Sequence, residues 1–117
     1  MFFSIVPGLR AARKIGLAEE RQKEGDTRGV MRACSEALGI LENQRVDLER
    51  PWCRSAASQA LWGYCRAAIE LGLASDVADV LARWRKHYLL WINSPISPQE
   101  ADYLKWIEQL SRRSHTT

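Results

Sequence analysis

The stretch "KEGDTRGVMRACSEAL", residues 23–38, has a partial echo in "ELGLASDVADVLARWR", residues 70–85. Each holds a glycine, then a short turn, then apolar residues at helical spacing. When Gly25 is set against Gly72, Val30 matches Val77, Cys34 matches Leu81 and Ala37 matches Trp84. Seven residues before each glycine stands a small residue, Ala18 or Cys65. Glycine adopts the left-handed backbone that closes a helix, and Asp26 is a preferred cap for the helix after it. Both stretches therefore read as helix, glycine-led turn, helix, with the two helices antiparallel.

Outward from these turns the chain reads as all-α. Alternating β-branched and aromatic runs are missing, and helical periodicity recurs. A first helix is expected from about Leu9 to Glu24, with Leu9, Ala12, Ile15 and Ala18 along one side. The second, capped by Asp26, carries Val30, Cys34, Ala37, Leu38 and Leu41 as one apolar stripe. A polar connector, "NQRVDLER", leads to Pro51, which suits the first turn of a third helix because the proline's missing N–H has no helical partner to lose there. That helix is apolar on most sides, which makes it the spine of the domain. Ser75 or Asp76 is expected to cap the fourth helix, whose inward face is Val77, Val80, Leu81, Trp84, Tyr88 and Trp91. Ser97, Pro98 and Glu100 form a helix-start signal with a capping box for the fifth, which turns Ala101, Leu104, Ile107 and Leu110 inward.

The bulk numbers agree with one soluble domain, 1–117. A chain of this length buries roughly two-thirds of its extended surface, and 46% hydrophobic with 26% charged residues argues against disorder. Three cysteines without CxxC spacing argue against a disulfide framework or zinc site, and the two histidines add no metal-ligand rhythm. No metal or cofactor is expected, and the free thiols fit a reducing cytoplasm. The N-terminal run "MFFSIV" is cut by Pro7 and Gly8, too short for a signal-peptide core or a membrane span. It reads as an apolar arm, 1–8, folded onto the domain. Its alternatives are a homo-oligomer contact or, with Arg10, Arg13 and Lys14, an amphipathic membrane foot.

The run Ala18, Gly25-Asp26, Val30, Cys34, Ala37-Leu38 resembles the tetratricopeptide repeat, a helical hairpin with small residues where its helices cross and a glycine at its turn. The first hairpin covers 9–43 and the second 51–92. The second departs from the pattern, with Trp84 in place of alanine and Leu73 in place of a polar turn residue. Gly25 and Gly72 stand 47 residues apart, against a family period near 34. A regular stack therefore requires the connector and third helix to absorb extra length, with 97–113 as the capping helix. An irregular five-helix bundle is the alternative architecture.

Little here points to catalysis. Serines and cysteines lack a base nearby in sequence, no glycine-rich phosphate loop is present, and Asp76 and Asp79 suit the positive end of a helix dipole. The tetratricopeptide resemblance implies binding instead: the first helix of each hairpin lines a groove for a peptide or partner helix. The groove face of the third helix is then Gln59, Trp62, Arg66 and Ile69. Trp62 and Arg66 are neighbours at i and i+4, and such pairs are enriched at binding hot spots. The competing reading makes Trp62 core, with Arg66 lying over it. Glu19 stands where a neutral amide would favour a carboxylate-clamping groove, and such a clamp is not recognisable.

Two other partner classes share these features. "ARWRKHYLLW", residues 82–91, interleaves Arg83, Arg85 and Lys86 with aromatics, as nucleic-acid-binding helices do. Its aromatics nevertheless fall on the apolar stripe, and a net charge of +3 is low for such a domain. An immunity or inhibitor protein is the remaining class. The expectation is an all-α cytoplasmic adaptor, chaperone or inhibitor.

Overall fold

The computed structural model describes the backbone of residues 2–43, 51–93, 101–102, 105–109 and 112, and the side chains of 9–42, 56–84, 101–102, 105–109 and 112. The fold is all-α. Helices α1 (Phe2–Lys23), α2 (Thr27–Asn43), α3 (Pro51–Glu70) and α4 (Ala74–Asn93) come in that order. Residues 101–102 and 105–109 are also helical, and no strand occurs among the described residues. The connector 44–50, the capping box at Ser97, Leu104 and Leu110 lie outside the described residues.

The two turns share one geometry. At the first, Gly25 has φ 77°; its N–H donates to the Gln22 carbonyl at 3.0 Å, and the Asp26 N–H donates to the Arg21 carbonyl at 2.9 Å. At the second, Gly72 has φ 75°, with Gly72 N–H to Ile69 carbonyl at 3.0 Å and Leu73 N–H to Ala68 carbonyl at 2.8 Å. Both are Schellman closures, in which two N–H groups beyond the helix satisfy carbonyls of its last turn. A side chain at either glycine would meet the left-handed backbone penalty.

The helix caps beyond the two turns differ. Asp26 caps α2 as expected, its Oδ1 accepting from the Gly29 N–H at 2.9 Å. Neither Ser75 nor Asp76 caps α4. Leu73 occupies the cap position, and its main-chain carbonyl accepts from the Asp76 N–H at 3.1 Å. Ser75 and Asp76 already lie inside the first turn, where Asp76 still meets the positive end of the helix.

The repeat register extends into the core. Each aligned pair is buried on both sides: Ala18 and Cys65, Val30 and Val77, Cys34 and Leu81, Ala37 and Trp84. The α2 stripe holds in full, with Val30, Cys34, Ala37, Leu38 and Leu41 all buried. Helix α3 packs against α1, α2 and α4, so it is the spine. Its buried face is built mainly of alanines, including Ala57, Ala60 and Ala68, in one cluster with the large Trp84 of α4 and Ile107 of the C-terminal segment. Small residues opposite a large one let layers interdigitate without a void.

Two expectations for α1 are corrected. It starts at Phe2 rather than Leu9, so 2–8 is the first part of a helix and not a separate arm. Pro7 is accommodated at the loss of one main-chain bond. The side chains of 2–8 lie outside the described residues, and with them the expected self-association contact. The inward stripe is also different: Ala11 and Ala18 are buried, Ile15 is partly buried, while Ala12 is exposed and Leu9 is 53% exposed. Steps of three fall about 60° short of a full turn each, so a 9–12–15–18 series winds off the face that 11–15–18 keeps.

Candidate functional site

Because α1 touches α3 as well as α2, these two helices run beside each other with α2 behind them. A cleft of about 250 Å³ opens between them. Helix α1 contributes Ile15, Ala18, Glu19 and Gln22, and α3 contributes Gln59, Trp62, Gly63 and Arg66. Val30 and Cys34 of α2 form the floor, and Trp106 closes one side. Three of the four expected groove residues, Gln59, Trp62 and Arg66, therefore line one cavity. Ile69, one turn further along α3, does not; it packs partly buried against the core cluster.

Trp62 is only partly buried, and Trp106 lies against it, with ring centroids 5.3 Å apart and planes tilted by 47°. Tilted aromatic pairs place a positive ring edge near a negative ring face. Trp106 is 40% exposed, the largest exposed apolar side chain among the described residues. The sequence reading of the groove missed it. The available signal is its place off the inward stripe marked by Ala101 and Ile107, since a tryptophan on a helix's wet face has no role in that helix's own packing.

Arg66 stands where this cleft meets a second one of about 210 Å³, lined by Gln22, Gly25, Thr27, Val30, Arg66, Ala67 and Glu70. Its Nε is buried and has no hydrogen-bond partner among the described residues. The ion pairs seen lie elsewhere: Lys14–Glu36 at 2.6 Å between α1 and α2, Arg21–Glu24 at 3.0 Å, and Arg83–Glu42 at 3.1 Å between α4 and α2. Glu70, four residues after Arg66, instead accepts from the Thr27 hydroxyl at 3.3 Å, tying the first turn to the end of α3.

Cys34 lies on the cleft floor against Gly63. Burial pushes its thiol up to about 11, with the Arg66 guanidinium pulling partly back. A thiol so held is neutral at physiological pH and a poor nucleophile. Tyr64, on another face of α3, is also raised, by burial first and then by the Asp76 carboxylate.

Of the alternative basic set, Arg83 alone has a described side chain. Arg83 is engaged by Glu42, and the side chains of Arg85 and Lys86, with those of Tyr88 and Trp91, lie outside the described residues. Among the described residues no helix is long and apolar enough to cross a membrane. No protein-family model, curated protein or solved structure matches this chain.

Proposed function

We propose that this chain is a tetratricopeptide-like interaction module of the cytoplasm, an adaptor, chaperone or inhibitor that holds a peptide or partner helix in the groove between α1 and α3. The observation that carries this reading is the convergence of Gln59, Trp62 and Arg66 on one cleft, with Trp106 tilted against Trp62. Aromatic and arginine side chains that are only partly covered, at the centre of a concave surface, are the usual carriers of interface energy. Binding is favoured over catalysis because the nucleophile in the cleft, Cys34, is held as a neutral thiol.

The test is an affinity capture from native lysate, with nuclease and at two salt concentrations, comparing the wild type with Trp62→Ala and Gln59→Arg. Thermal melts first establish that both variants fold. A stoichiometric protein that survives nuclease and salt, and is lost from both groove variants, supports the reading. Nucleic acid that elutes steeply with salt, as phosphate contacts require, overturns it.

A further inference from the structure

Resting on the groove as the binding site, we infer that it selects a segment with one internal acidic side chain, and that Arg66 is the residue that reads it. Arg66 carries a buried Nε–H for which the described residues supply no acceptor. A buried donor left unpaired is costly, and the cost is recovered when a ligand supplies the missing acceptor. Once turned into the cleft, the guanidinium edge formed by Nε–H and one terminal N–H offers two parallel donors, which a carboxylate matches with two oxygens and a main-chain carbonyl with only one.

The surroundings limit the ligand further. Glu19 lies in the first cleft and Glu70 in the second, both exposed. A second anion on either side of Arg66 meets one of them, so a polyanion or a run of acidic residues is repelled. Gln22, Val30 and Arg66 line both clefts, so a chain seated on Arg66 continues in both directions instead of ending there. On the Trp106 side it meets the tilted Trp62–Trp106 pair, a surface for a large apolar side chain. On the other it approaches Glu70, which favours a basic residue. The fitting segment reads, in spatial order, apolar, acidic, basic.

The experiment uses the full chain and an array of short peptides, acetylated and amidated, that vary in charge and apolar content. Hits are measured in solution by calorimetry and by tryptophan fluorescence. The expected hits share a single Glu or Asp beside a large apolar residue, and replacing that acid by its amide weakens binding about tenfold or more, the worth of a hydrogen bond to a charged group. That comparison leaves the protein unaltered, so it does not depend on a variant folding. Arg66→Lys, which keeps the charge but loses the planar fork, is expected to erase most of the preference for acid over amide. If acid and amide peptides bind equally and both are lost in Trp62→Ala, the groove stands and the role of Arg66 is overturned. If only peptides with a free carboxyl terminus bind, the internal-acid inference is overturned. If no peptide on the array binds, the groove reading falls as well.

Discussion

Gly63 of α3 and Cys34 of α2 approach so closely that a Cβ on Gly63 would stand 2.6 Å from the Cys34 sulfur. This contact sets how near α3 comes to α2 directly beneath the groove. Gly63→Ala gains about 1 kcal/mol of helix propensity. It also forces overpacking that costs typically 1–3 kcal/mol, because a buried helical cysteine has few rotamers to retreat into. Net destabilisation by up to about 2 kcal/mol is expected, and Cys34→Ala in the same chain relieves it. Denaturant melts of the four proteins in the cycle measure the coupling; a coupling near zero sinks this account.

The same substitution changes sign elsewhere. Gly16 of α1 and Gly39 of α2 have open space where a Cβ would sit. Gly16→Ala and Gly39→Ala are expected to stabilise by about 0.5–1 kcal/mol each. Gly25→Ala and Gly72→Ala, at φ 77° and 75°, are expected to destabilise by roughly 1–2 kcal/mol. Thermal melts of the set decide whether backbone angle and local space rank them in this order.

The turns differ at one position that is open to repair. Asp26 caps α2 through its side chain, while Leu73 at the matching place has none to offer and is 37% exposed. Leu73→Asp is expected to stabilise by up to about 1 kcal/mol, and Asp26→Ala to cost about 0.5–2 kcal/mol. Helicity and denaturation midpoints report both, and a destabilised Leu73→Asp chain would show that Leu73 matters more for packing than for capping.

Stability should fall on the alkaline side. The Cys34 thiol has an ordinary value of 9.0 and is pushed up to about 11 in the fold. Above pH 9 the unfolded chain releases this proton while the folded chain keeps it, so stability declines as pH rises towards 11 and is untouched below 9. The loss approaches roughly 2–3 kcal/mol at the upper end. Tyr64 is shifted the same way, chiefly by burial, and remains in every variant. Melting temperature against pH should therefore be distinctly flatter for Cys34→Ala than for the wild type; parallel curves would contradict the burial of the thiol.

The Trp62–Trp106 pair gives the groove its own reporter. Trp106→Ala should cost roughly 2–4 kcal/mol, since the ring is only 40% exposed and the pair adds its own contribution to the area lost. Peptide binding should change tryptophan emission in the wild type and much less in the Trp62→Phe/Trp106→Phe double variant. An unchanged response in that variant would place the ligand away from the pair.

The range of each interaction decides how much of the fold is legible in the residues. The closures at Gly25 and Gly72, the Asp26 cap and the α2 stripe were readable because their bonds join residues at most a few positions apart. The cap of α4 was misplaced because Ser75 and Asp76 are good caps by type, yet Gly72 sets the register and leaves only Leu73 at the boundary. On α1, residue type could not separate Ala11 from Ala12, since both are alanine and only the neighbouring helix distinguishes their faces.

By itself, then, the sequence determined an all-α chain of paired helices with glycine turns and an α3 apolar enough to be central, because hydrogen bonding and periodicity within a helix are local. Tertiary structure alone decided which face of α1 is covered and that Gly63 meets Cys34. It also brought Trp106 onto Trp62 and left the Nε of Arg66 buried between two clefts. Those relationships join residues far apart in the chain, and they depend on the angles and spacings at which helices pack, which no single helix carries in its own residues.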